Sequence, residues 1–170
     1  MPVAPARPAK GKRMSEFDLT DRKILATLQS DGRISNSDLA RKIGLSESPC
    51  LRRVRNLEAG GVVAGYSALL DHRRLGLEIV AYVQVNLDQR SEADTSAFVK
   101  AVRNAPWIVE CVAISGQYDY LLKVAARNID HFGELTMKNL LRFPGVKDVS
   151  SSLVLASIKH NFGNTVWPIE

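Results

Sequence analysis

The stretch RISNSDLARKIGLSESPCLRRVRNLEA, residues 33–59, decides the fold of the N-terminal half. Asn36 and Ser37 are suited to cap a helix whose apolar positions Leu39, Ala40 and Ile43 share one face. Gly44 suits the left-handed conformation that ends such a helix, and Leu45 pins the turn. Ser46 or Ser48 offers a second N-cap, with Pro49 in the first turn, where a missing N–H costs nothing. The spacing predicts a helix from there to about Ala59, stopped by Gly60-Gly61.

Successive residues of that last helix step round its axis by about 100°. Leu51, Val54 and Leu57 then cluster on one side, with Cys50 and Glu58 beside them. Ser48, Pro49, Arg52, Arg55, Asn56 and Ala59 fall opposite, and Arg53 lies on the flank. Arginine and asparagine are the side chains that make paired bonds to guanine and adenine edges. An ordinary solvated helix face also carries arginines, so the arginines alone decide little. The preceding helix and turn supply the docking geometry of a rod for the major groove of double-stranded DNA. The candidate DNA-binding residues are Ser46, Ser48, Pro49, Arg52, Arg53, Arg55 and Asn56. Of these, Ser48, Pro49, Arg52 and Asn56 are expected at base edges, and Arg53 and Arg55 at phosphates.

Working outward, Asp18 with Asp21 makes a capping-box-like start to an earlier helix carrying Leu19, Ile24, Leu25 and Leu28 up to Asp31-Gly32. After Gly60-Gly61, VVAGYSALL holds two β-prone runs around Gly65 and predicts a short hairpin or wing. Three helices and a wing make a winged helix-turn-helix.

From Leu77 the period changes. LEIVAYVQVNL places Leu77, Ile79, Ala81, Val83, Val85 and Leu87 on one side of a strand. Residues 91–105 read as a helix with Phe98, Val99 and Val102 buried and Pro106 after its end. Strands over 107–115 and 118–126 follow, joined by a turn at Gly116-Gln117. A helix from about Asn128 to Arg142 carries Phe132, Leu135, Met137, Leu140 and Leu141, and a last strand runs from Val146 to Lys159. The order βαββαβ is the ferredoxin-like arrangement, a four-stranded antiparallel sheet with both helices on one face. Val80 and Tyr82 on the other face would meet water, so pairing of two copies through the sheet is expected. The fold class is thus α+β, with a winged helix-turn-helix ahead of a ferredoxin-like domain.

A chain of 170 residues, 45% hydrophobic, is better divided into two small domains than packed as one. The expected layout is a disordered basic tail over 1–14, the helical unit over 15–61, wing and linker over 62–76, the sheet domain over 77–160, and a C-terminal tail over 161–170. Arg7, Lys10, Lys12 and Arg13 give the first fourteen residues a charge of +4 with no acid. Residues 15–60 carry eight basic and seven acidic side chains, and residues 61–170 carry eleven of each. The net +5 therefore sits on the tail and helical unit, which suits a phosphate backbone. A merely solubilising tail has the same composition.

No apolar run approaches the ~20 residues needed to cross a bilayer, and no secretory leader is legible, which points to the cytoplasm. Cys50 and Cys111 suggest no disulfide framework; His72, His131 and His160 have no companions at metal-ligand spacing, so neither metal nor cofactor is expected. Cys50 reads as a small buried hydrophobe. No nucleophile elbow or phosphate loop is present. A small-molecule-binding protein or enzyme on the ferredoxin-like half, with the helices as a protein-interaction module, is the alternative reading.

The landmarks DLTDRKIL, LQSDGRIS, LSESPCLRRVRNLE, GVVAGYSALLD, SGQYDYLLKV and FPGVKDVSSS, spread from Asp18 to Ser152, resemble the feast/famine (Lrp/AsnC) family of transcriptional regulators. The resemblance implies a non-enzymatic DNA reader followed by an assembly and amino-acid-sensing domain, in dimers that stack into octamers or similar discs. It implies an effector held near Gly116, Gln117, Tyr118 and Asp119. Gln117 stands where many members have an acidic residue. Ser150-Ser151-Ser152 and the ending WPIE look like a branch that includes a cysteine-responsive regulator. Physically, backbone N–H groups at Gly116-Gln117 suit a carboxylate, and Asp119 suits an α-ammonium. Ser150 and Ser152, on one side of the last strand, add hydroxyls. A plain β-turn with a solvent-facing Asp119 is the competing reading of the same residues.

Overall fold

The computed structural model describes residues 17–88 and 92–158. The basic tail expected over 1–14, the helix start at 91, and everything expected over 159–170, His160 included, lie outside these residues. The described residues form two compact units, one ending at Leu69 and one starting at Leu70.

The first unit is three helices, α1 (Leu19–Ser30), α2 (Asn36–Ile43) and α3 (Glu47–Ala59). Asp18 caps α1, its side chain accepting from the Asp21 N–H at 2.8 Å. Ser35 caps α2, one residue earlier than expected. Its Oγ accepts from the Asp38 N–H at 3.1 Å and donates to the Asp38 carboxylate at 2.6 Å, a reciprocal box. Asn36 is thereby drawn inside the helix, and its side-chain amide donates to the Glu47 carbonyl at 3.1 Å, tying α2 to the start of α3. Gly44 ends α2 at φ 76°, where a Cβ would be strained. The Leu45 N–H closes the turn onto the Ala40 carbonyl at 2.9 Å.

Ile24, Leu39, Ala40, Cys50 and Leu57 form the core of this unit together with Phe17. Leu19, expected inside, is 73% exposed; it lies about 140° round α1 from Ile24, and Phe17 ahead of the cap packs inside. Leu51 is likewise at the surface, because Cys50 and Leu57 set the buried direction of α3 and Leu51 is a further 100° round. Residues 62–70 form no strand pair. The N–H groups of Val62 and Val63 both donate to the Leu57 carbonyl, at 3.0 and 3.2 Å, so they close the end of α3 and are not free for a ladder. The expected hairpin is therefore an extended, unpaired segment in the wing position.

The second unit contains β1 (Ile79–Leu87), α4 (Glu92–Arg103), β2 (Ile108–Ala113), β3 (Tyr120–Ala126), α5 (Ile129–Gly133) and β4 (Val146–Leu153). The strands pair antiparallel in the order β2-β3-β1-β4, the ferredoxin-like order. Ala81, Val83, Val85 and Leu87 point into a core shared with Phe98, Val102, Leu122, Val124, Phe132, Leu135 and Leu140. Phe98 packs against Tyr120 with the rings tilted by 43° and meets Phe143 edge-on. Tyr82 faces the opposite way and is 41% exposed.

Three expectations are corrected in this unit. The second helix continues past α5 as a π-helical segment (Glu134–Asn139) and a 3-10 turn (Leu140–Arg142). The wider turn shifts the phase, so Met137 and Leu141 face outward while Thr136 is buried, its hydroxyl donating to the Phe132 carbonyl at 2.9 Å. The β2–β3 connection is a six-residue loop, Ile114 to Asp119, rather than a two-residue turn, so Tyr118 is in the loop and not in a strand. Strand β4 ends at Leu153, well short of Lys159, with one further bond from the Val154 N–H to the Val80 carbonyl at 2.9 Å.

Candidate nucleic-acid interface and ligand loop

Ser48, Leu51, Arg52, Arg55 and Asn56 line one open depression on the outer side of α3. Arg52, Arg55 and Asn56 are exposed, and Pro49 is half-buried at the rim. Ser46 holds the N-cap position without a side-chain capping bond, and its carbonyl accepts from the Cys50 N–H at 3.2 Å. Cys50, beneath the helix, is fully buried, and that burial raises its thiol pKa. It is packing, not chemistry.

Arg53, expected at a phosphate, is bonded within its own unit. Its Nη1 donates to Asp18 Oδ2 at 2.8 Å and to Asp21 Oδ1 at 2.7 Å, joining α3 to the first turn of α1. Both bonds raise the guanidinium pKa, Asp21's contribution being the larger. Asp18 is held below the usual carboxylate range, first by the Asp21 N–H and then by Arg53. Spacing alone did not reveal this pairing; the signal available was the position of Arg53 on the flank of α3, between buried and open sides.

In the second unit, Gly116 at φ 132° permits the loop conformation, and Gly116 and Gln117 are exposed. Asp119 is tied to the sheet. Its N–H donates to the Val85 carbonyl at 3.0 Å, and its Oδ2 accepts from the Leu87 N–H at 3.0 Å. Tyr118 is half-buried beside it. Ser150 and Ser152 pair across β4 with Gln84 and Tyr82 of β1, so they line the uncovered face. They lie on β4, which β1 separates from β3. Cys111, beside Tyr120, is pushed up to about 11 by burial, and among the described residues no cluster of three or more His, Cys, Asp or Glu is placed to hold a metal. No helix of the described residues is long and apolar enough to cross a membrane.

An arginine-faced helix-turn-helix in one unit and a four-stranded antiparallel sheet in the other fit the class of DNA-binding regulators. Residues 17–64 match the winged helix-turn-helix DNA-binding family, and residues 80–163 match the Lrp/AsnC ligand binding domain. The chain is 40% identical over 144 residues to the leucine-responsive regulatory protein of Rhizobium meliloti, covering 85% of this chain and 92% of that one. It is 39% identical over 153 residues to its Escherichia coli counterpart, covering 90% and 93%. A transcriptional regulator of Neisseria meningitidis, solved with L-Met, superposes with a TM-score of 0.82 at 38% identity, over 85% of this chain and 93% of that one. The chain belongs to the Lrp/AsnC family of transcriptional regulators. These relatives are regulatory proteins.

Proposed function

We propose that this regulator reads a pseudo-palindromic operator in genes of amino-acid metabolism, as a homodimer able to assemble further, and that an amino acid shifts its assembly or DNA affinity. Arg52 and Asn56 face base edges, with Ser46, Ser48 and Pro49 at the entering end of α3, and Arg55 meets phosphate. The free, exposed arginine face of α3 carries this reading. A basic arm ahead of it adds sequence-independent affinity.

The effector's carboxylate is assigned to the Gly116-Gln117 backbone, and its ammonium to Asp119 alongside Tyr118, with Ser150 and Ser152 adding hydroxyls. The family resemblance puts the effector between dimers, where it can favour one assembly over another. The L-Met complex of the Neisseria regulator supports an amino acid of that kind. The exposed sheet face at Tyr82 supports pairing of copies.

The test is a gel shift with DNA from upstream of the protein's own gene. Retention that weakens steeply with salt is expected. No retention at low salt rejects the reading.

A further inference from the structure

Arg53 sits beside the reading face without belonging to it. The apolar anchors of α3 (Cys50, Val54 and Leu57) hold the helix down, but dispersion contacts have little directionality and tolerate roll about the helix axis. A roll of about 20° moves a side-chain tip some 6 Å from the axis by ~2 Å. That exceeds what a paired base contact accepts, since N–H···O bonds span only about 2.7–3.2 Å.

One nitrogen of Arg53 is held by two carboxylates, at 2.7 and 2.8 Å. The acceptors are themselves fixed, because the other oxygen of Asp18 caps the first turn of α1 through the Asp21 N–H at 2.8 Å. The Asp21 carboxylate is only 18% exposed and the Arg53 side chain 34%, so salt screens this bridge less than an open surface pair.

We infer that Arg53, bridged to Asp18 and Asp21, is a positioning residue that sets the roll of α3 and so aims Arg52 and Asn56 at base edges. The inference rests on α3 reading DNA as proposed above. Arg53 then governs sequence discrimination without contributing a phosphate contact. Two carboxylates beside a DNA-reading helix oppose binding by charge alone, which gives the inference an unusual sign: removing one of them weakens specific binding.

The experiment uses the full chain, a duplex selected by the wild type from a random pool, and a scrambled duplex of equal composition, titrated at several salt concentrations. Asp18→Asn keeps the helix cap, since asparagine caps as well as aspartate, and removes only the charge facing Arg53. Arg53→Lys keeps the positive charge but ends one bond short of Nη1, so it cannot reach both carboxylates with α3 held in place. For both variants the expected result is about a tenfold fall in the selected-to-scrambled affinity ratio, with the salt slope unchanged. Circular dichroism confirms that each variant is folded at the assay temperature, and Arg53→Lys stands as the test if Asp18→Asn is not. The inference is overturned if Asp18→Asn binds both duplexes equally more tightly. It is also overturned if Arg53→Lys keeps the ratio while Arg53→Met lowers both affinities and reduces the salt slope by about one, the mark of a phosphate contact. A wild type that selects no duplex rejects DNA reading itself, a separate outcome.

Discussion

At the residue scale, neighbouring arginines on α3 differ in their surroundings by a single step of rotation. Arg55 and Arg52 stand exposed, while Arg53 is spent on Asp18 and Asp21. Arg55→Ala is expected to weaken binding to all duplexes alike and to reduce the salt slope by about one, read from affinity titrations at several salt concentrations. Acid stability follows from Asp18. Its folded pKa lies below the ordinary value of 3.8, so its contribution is complete above that value and disappears as pH falls through the folded pKa. Asp18→Asn should therefore flatten the loss of melting temperature below about pH 4 while leaving the neutral-pH limb sloping as before. The Asp18 side chain is 52% exposed, so solvent screening keeps the effect small.

At the element scale, the turn between α2 and α3 rests on Gly44 at φ 76°, with open space where a Cβ would sit. Gly44→Ala thus meets no clash and isolates the left-handed penalty, a loss of roughly 1–2 kcal/mol that thermal unfolding measures. In the sheet domain Phe98 is fully buried against Tyr120 and Phe143. Phe98→Ala should cost about 3–5 kcal/mol, enough to unfold much of that unit at moderate denaturant. Elements with clear periodicity were legible in the chain, as β1 was from its alternation and α3 from its wheel. Features set by hydrogen bonding were not. The reciprocal Ser35–Asp38 box moved the α2 cap by one residue, and the π-helical segment turned Met137 outward. The bonds from Val62 and Val63 to Leu57 removed the expected hairpin. The exposed arginine face of α3 was readable because exposure follows the wheel; the bridge at Arg53 was not, because its partners lie 32 and 35 residues away in sequence.

At the scale of the whole molecule, the sheet leaves Tyr82 exposed on the face opposite its core. Tyr82→Glu should shift sedimentation toward smaller species if that face pairs two copies, and leave it unchanged if it does not. A thermal-shift screen of the twenty amino acids should yield a small set that raises the melting temperature, since a ligand at 100-fold its Kd adds about 2.7 kcal/mol. Asp119→Ala should abolish that rise. The proposed placement of α3 in the major groove covers guanine N7, which sits only there. Methylation protection on the selected duplex reads that position. Two patches of N7 protection are expected, centred about one helical turn, or a multiple of it, apart. Unprotected N7 positions across a fully bound duplex overturn the placement.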